Sequence, residues 1–391
     1  MILVKYFNLV LSVLICFVVF SCQADKAEDP VILTGAEQVN LYIPKLEGKS
    51  VALLVNHTSL IGGVHLLDTL LSSGVDVVKI FAPEHGFRGN LANGEQVHDD
   101  RDQKTGLPLV SLYGKNKKPS SEQLNGIDVV IYDIQDVGAR FYTYISSMHH
   151  MMEACAKNGI TFMLLDRPNP NAHYIDGPVL EKAHASFVGV HPIPIVYGMT
   201  TGELAQMVKG ESWINESEAL DLTIVELKNW THTSTYELPI SPSPNLPNRQ
   251  SIALYPSLCL FEGTDISMGR GTDFPFQAVG YPDSVFGEFQ FTPRRIEGVS
   301  KYPPHKNKTC YGDDLRTVNP PNRIDLSYLI KYYQLSKNKA NYFNAFFTNL
   351  SGTKKLRKQI EEGWSEEEIR TSWQDDLNHF KEKRQQYLIY E

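Results

Sequence analysis

Four carboxylates sit in runs whose composition suits chemistry: Glu84, Asp133, Asp136 and Glu262. Ala82-Pro-Glu-His-Gly-Phe-Arg-Gly89 and Phe261-Glu-Gly-Thr-Asp-Ile-Ser-Met-Gly-Arg-Gly-Thr272 each place a glutamate and an arginine (Glu84 with Arg88, Glu262 with Arg270) among glycines, which let a ligand approach the backbone closely. Between them lies Asp133-Ile-Gln-Asp-Val-Gly-Ala-Arg-Phe-Tyr-Thr-Tyr144, which crowds two carboxylates, an amide, Arg140, Tyr142 and Tyr144 into one stretch. Phe81, Pro83 and Phe87 would wall a Glu84 carboxyl off from water, an environment that suits general acid work. A second carboxylate nearby would complete the pair a glycosidase needs, about 5–5.5 Å away for retention or about 6.5–9.5 Å for inversion. The structural alternatives are a carboxylate–arginine knot at a strand end for the Asp133 stretch, loop amides or His85 satisfying Glu84, and an interface ion pair for Glu262.

These residues need elements to position them. Ser50–Val55, Val75–Phe81, Leu109–Leu112, Ile127–Tyr132 and Ile160–Leu165 are short, apolar and rich in β-branched residues, as expected of strands covered on both faces. Helical spacing separates several of them, with Gly74 and Gly159 as stops. The rhythm predicts an α/β fold with a doubly wound, mostly parallel sheet. Each strand's carboxyl end carries polar groups: Asn56/His57, Glu84/His85, Tyr113, Asp133/Asp136 and Asp166/Arg167/Asn169. In a parallel sheet those ends share one edge, so the expectation is a single cleft. Thr200 or Thr201 caps a further helix, Leu222–Leu227 is an edge strand, and the proline-rich segment from Pro239 to Asn248 marks a crossing between domains. The predicted division is a signal at 1–22, a tether at 23–40, a catalytic domain at 41–248 and a cleft-closing domain at 249–391.

Bulk properties exclude several classes. The 391 residues carry a net charge of -8 and no basic stripe, which argues against nucleic acid. No G-x-G-x-x-G opens a helix and no phosphate loop or G-x-S-x-G elbow is present, so no cofactor and no serine triad are expected. His57, His85, His98, Asp99 and Asp133 lack a short metal-ligand spacing, and no metal is expected. Lys5, the apolar run Phe7 to Phe20 and Val19-Phe-Ser-Cys22 have the form of a secretory signal. Its end resembles a bacterial lipobox, with Cys22 as the lipidated residue. The body is then exported and lipid-anchored in the cell envelope, touching membrane only through that lipid. Cys155, Cys259 and Cys310 make no disulfide framework.

Six segments together resemble the NamZ-type exo-β-N-acetylmuramidases: the three motifs above, Leu165-Asp-Arg-Pro-Asn-Pro170, Gly198-Met-Thr-Thr-Gly-Glu-Leu-Ala205 and Ser243-Pro-Asn-Leu-Pro247. Their order runs from about residue 45 to the C-terminal Tyr387-Leu-Ile-Tyr390, with Asn56-His57-Thr58 where members of the family often have Asn-Pro-Thr. The resemblance implies a Rossmann-like N-terminal domain, a second, smaller α+β C-terminal domain with a cleft between the two, and removal of N-acetylmuramic acid (MurNAc) from the non-reducing ends of peptidoglycan fragments. It puts the family's functional glutamate on Glu84 and its second motif glutamate on Glu262. On that substrate, Arg88, Arg140 and Arg270 are candidates for the lactyl carboxylate. Asn56, Asn169 and Asn245 are candidates for the acetamido group and ring hydroxyls, and His85, Tyr142 and Tyr144 for the sugar. The mechanism expected is metal-free, with Glu84 as acid and Glu262, Asp133 or Asp136 as partner, or with the acetamido group as internal nucleophile. The competing reading is a surface lipoprotein that binds muropeptides without cleaving them. A metal-dependent hydrolase stands third.

Overall fold

A computed structural model describes residues 30–87, 100–114 and 116–391. Among them seven strands form one sheet: β1 (Val51–Val55), β2 (Val77–Ala82), β3 (Asp100–Arg101), β4 (Pro108–Ser111), β5 (Val129–Asp133), β6 (Thr161–Leu165) and β7 (Leu222–Val225). Their spatial order is β3-β4-β2-β1-β5-β6-β7, and every pairing is parallel except that of the short β3 with β4. All five residues of β1 and of β5 are buried, as sandwiched strands require.

Period-two alternation sends Val51, Leu53 and Val55 to one face, where they meet Leu66, Leu67 and Leu70 of α1 (Leu66–Ser72). Ala52 and Leu54 go to the other face, against Ile145, Met148 and Met152 of α2 (Tyr144–Asn158). Gly159 ends α2 in the left-handed conformation, with φ 64°, as its position in the sequence predicts. Thr200 is the cap of α3 (Thr201–Gly210), in a reciprocal capping box with Glu203. Because β1 lies between β2 and β5, successive crossovers run in opposite directions from it. That is a topological switch point, and the crevice it opens lies outside the carboxyl ends of the strands.

Beyond the proline-rich segment, Asn248 caps α4 (Arg249–Leu258). A smaller antiparallel sheet follows, of β8 (Ala278–Tyr281), β9 (Phe289–Phe291) and β10 (Cys310–Asp314) in the order β8-β10-β9, with helices around it. These include α5 (Phe346–Ser351), α6 (Glu366–Thr371) and α7 (Gln374–Arg384). Between Glu366 and Arg384 the chain forms two helices in place of one, because it breaks at Ser372 and buries Trp373. One apolar cluster joins Tyr132 and Phe162 of the large sheet to Phe261, Tyr332 and Phe347 of the later segment.

Packing also begins earlier than expected. Leu33 bridges to Lys228, and Ala36 and Tyr42 are buried, so the latter part of the predicted tether is folded. Cys155, Cys259 and Cys310 are free thiols in the interior. Among the described residues no helix is long and apolar enough to cross a membrane. Cys22 lies outside the described residues.

Candidate active site

A cavity of about 580 Å³ is lined by Glu84 and His85 after β2, by Tyr113 after β4, and by Tyr142, Thr143 and Tyr144 at the start of α2. Asn245, Glu262 and Arg270 from the later part of the chain line the same space. The backbone reverses sharply behind Glu84, with His85 at φ 67° and Gly86 at φ 75°. A non-glycine residue in that region is uncommon, and here it turns the chain immediately after the carboxylate.

Glu84 is 8% exposed, and its Oε2 accepts a 2.7 Å hydrogen bond from Thr143 Oγ1. The Tyr113 hydroxyl also bonds Glu84. Burial, then the charge and hydrogen bond of Glu84, push the Tyr113 phenol well above its ordinary range, so it stays protonated. Glu262 holds Arg270 through one oxygen: Oε1 accepts from Nε at 3.1 Å and from Nη2 at 2.5 Å. The guanidinium lies 4.9 Å from the centre of the Phe276 ring, which also lines the cavity.

Asn245 donates from Nδ2 to Val299 O at 3.0 Å, which fixes the amide's orientation. Its Oδ1 is buried and has no partner among the described residues. A buried acceptor left open is costly, and a donor on a ligand would satisfy it. Tyr142 donates to Pro242 O at 2.8 Å and packs edge-on against Tyr144 at 4.8 Å, so the two rings form a fixed apolar wall.

Asp133, Asp136, Arg140, Asn56 and Asn169 lie outside the cavity lining, and most of their polar atoms are engaged elsewhere. Asp133 is fully buried and accepts from Arg167 Nε at 2.5 Å and Nη2 at 2.9 Å. Asp136 accepts from Gly138 N at 2.7 Å and Tyr197 Oη at 2.6 Å, and burial raises its carboxyl to about 6. Neither lines the cavity as a partner carboxylate would: the strand-end carboxylate–arginine knot accounts for Asp133, and Asp136 is held in the core by Tyr197 and the Gly138 amide. Arg140 is buried without a carboxylate beside it and donates to the carbonyls of Pro178, Ile193, Leu350 and Ser351, so it cannot reach a ligand.

Asn56 Oδ1 accepts from Thr58 N and Oγ1. Asn169 bonds Met199 O and Asn171 N. Gly138, at φ +73°, is there because a Cβ would lie 2.2 Å from Asn169 Oδ1. The single cleft expected from five strand ends is therefore built from the ends of β2 and β4 and the loop after β5. The segments after β1 and β6 instead bond the end of β5: Thr58 Oγ1 accepts from Gln135 N at 3.0 Å, and Arg167 donates to Asp133. Arg88 lies outside the described residues, as do His98 and Asp99. Among the described residues no group of three His, Cys, Asp or Glu side chains is placed to hold a metal.

The N-terminal domain of the exo-β-N-acetylmuramidase NamZ matches residues 51–250, and its C-terminal domain matches residues 253–390. The chain belongs to the NamZ family. It is 38% identical over 389 residues to the peptidoglycan β-N-acetylmuramidase NamZ of Bacillus subtilis (strain 168), covering 93% of this chain and 92% of that one. Two crystal structures of DUF1343 family proteins from Bacteroides fragilis NCTC 9343 share the fold. One has a TM-score of 0.86 and 47% identity, over 93% of this chain and 99% of that one. The other has a TM-score of 0.80 and 32% identity, over 92% and 99%.

Both NamZ segments contribute to the cavity, Glu84 from the first and Glu262 with Arg270 from the second. Sequence reasoning missed Thr143, although it sits between the two tyrosines singled out. It also missed Phe276, which follows the Gly269-Arg-Gly271 run. Phe187 and Lys117 line the cavity too, the lysine 4.6 Å from the ring centre, and no sequence signal marks either.

Proposed function

We propose that the protein is an exo-acting glycoside hydrolase that releases MurNAc from the non-reducing ends of peptidoglycan fragments, with Glu84 as general acid. The observation that carries this reading is Glu84 itself: a nearly buried carboxylate, held by Thr143 and Tyr113, in a cavity large enough for a sugar. Thr143 fixes the carboxyl through Oε2, and the carboxyl's proton passes to the glycosidic oxygen as the C1–O bond breaks. The aromatic wall of Tyr142 and Tyr144 excludes water, and the open Oδ1 of Asn245 accepts from the acetamido N–H or a ring hydroxyl. The membership of both halves in the NamZ family supports the same reading.

The proposal extends to the chain's location. Export, cleavage before Cys22 and lipid attachment there place the body in the bacterial envelope, where peptidoglycan fragments arise. Lys5, the apolar run and Val19-Phe-Ser-Cys22 support this. Replacing Cys22 with Ser should move the protein from the membrane fraction to the soluble one. An unchanged membrane association would refute lipidation at that residue.

The test of the activity is incubation with MurNAc-GlcNAc and analysis of the products. Free MurNAc and GlcNAc are expected; an intact disaccharide bound by the protein would favour a binding role instead.

A further inference from the structure

We propose that Glu262 is a positioning residue for Arg270, and that Arg270 reads a carboxylate on the substrate and so sets the preference for a carboxylated sugar over its neutral counterpart. This rests on the glycosidase reading and assigns the second motif glutamate a different task from the one first expected of it.

The argument begins with which charges in the cavity remain open. Asp133 and Asp136 are engaged away from it, and Arg140 is buried on backbone carbonyls. That leaves Glu84, Glu262, Arg270 and the rim residue Lys117 as the charged side chains among the described lining residues. Glu262 and Arg270 neutralise each other, but asymmetrically. Both of Arg270's bonds, from Nε and Nη2, go to the single oxygen Oε1.

This side-on engagement leaves the far end of the guanidinium fork uncommitted, and Nη1 has no hydrogen-bond partner among the described residues. The free end of the fork matches the two oxygens of a carboxylate. Phe276 supports the guanidinium plane from beneath. An arginine braced along one edge and on one face loses little freedom when a ligand takes the remaining edge.

A carboxylate entering near Glu84 and Glu262 meets repulsion unless a cation receives it. MurNAc differs from GlcNAc by its lactyl ether, which supplies that carboxylate. A site built to bond a polar group rejects the analogue lacking it more strongly than an apolar pocket can, because its own donor is then left unpaired.

The test compares p-nitrophenyl MurNAc with p-nitrophenyl GlcNAc on the wild type, Arg270→Gln, Arg270→Lys and Glu262→Gln. In Arg270→Gln the ratio of kcat/KM between the two glycosides should fall by about 100-fold or more. Arg270→Lys, which keeps the charge without the fork, should give an intermediate ratio. Glu262→Gln should raise KM for the MurNAc glycoside more than it lowers kcat. Equal losses on both glycosides in Arg270→Gln would overturn the assignment of Arg270. A collapse of kcat at unchanged KM in Glu262→Gln would overturn that of Glu262 and make it catalytic.

Calorimetric binding of free MurNAc and GlcNAc separates this inference from the activity. If the wild type cleaves neither glycoside, the hydrolase reading fails. Weakened MurNAc affinity in Arg270→Gln, with GlcNAc affinity unmoved, still sustains carboxylate reading, and unchanged MurNAc affinity refutes it.

Discussion

Thr143 and Asp136 lie seven residues apart in one motif and show how neighbours take different tasks. Thr143 Oγ1 points at Glu84, and replacing it with Val removes one of the groups that hold the acid. Turnover should fall by about 10-fold with little change in the unfolding midpoint, whereas wild-type kinetics would show that Tyr113 alone suffices. Asp136 belongs to the core. Its carboxyl, raised from 3.8 to about 6 by burial, holds a proton in the folded state over a range where the unfolded chain has lost it. The stability this contributes is fully present below about pH 3.8 and is lost as pH rises through about 6. In Asp136→Asn the unfolding free energy should therefore fall less between pH 4.5 and 7.5 than in the wild type, by about 2 kcal/mol. Parallel stability profiles would contradict this. From residue types alone the two tasks cannot be separated, and Asn56, Asn169 and Asn245 make the same point. All three are asparagines beside turns, and only the folded structure leaves Asn245 Oδ1 open at the cavity while engaging Oδ1 of Asn56 and of Asn169.

At the scale of elements, the strands were the most legible feature. β1 and β5 are unbroken buried runs, and Gly159 and Thr200 end and begin their helices by local rules that need no tertiary contact. What the pattern does not reveal is how α5 meets the first half of the chain. Its last carbonyls, of Leu350 and Ser351, accept from Arg140 Nη2 at 2.9 Å each, while Nη1 bonds Pro178 and Ile193. A cation at a helix C-terminus is favourable, and here it also joins residues far apart in sequence. Gly352, at φ +75°, leaves room for it, since a Cβ would lie 2.6 Å from Arg140 Nη2. Phe346, Asn349 and Leu350 of α5 line the cavity, so Arg140 supports that wall from behind. Replacing it with Leu leaves buried carbonyls unpaired and should cost about 3–5 kcal/mol in denaturant unfolding. A loss below about 1 kcal/mol would mean that the carbonyls find other donors.

For the molecule as a whole, the C-terminus is tied back to the first sheet. Tyr390 donates to Asp166 Oδ2 at 2.8 Å and accepts from Leu227 N at 2.8 Å, while the amides of Ile389 and Tyr390 donate to Glu203 Oε1 at 3.0 and 3.2 Å. Asp166, with its carboxyl raised to about 6 by burial, and the capping residue Glu203 thus depend on the last residues of the chain. Deleting residues 389–391 should lower stability by about 2–4 kcal/mol, and an unchanged unfolding midpoint would show that the tail is dispensable. The sequence motif ending at Tyr390 gave no hint of this closure, because the partners lie more than 150 residues away. The central chemical claim is separable from all such structural effects. Glu84→Gln should lower kcat on MurNAc-GlcNAc, whose leaving sugar needs a proton, by about 10²-fold or more. It should lower kcat far less on p-nitrophenyl MurNAc, whose phenolate leaves unaided. Equal losses on the two substrates, or near-normal turnover of the disaccharide, would show that Glu84 is not the proton donor.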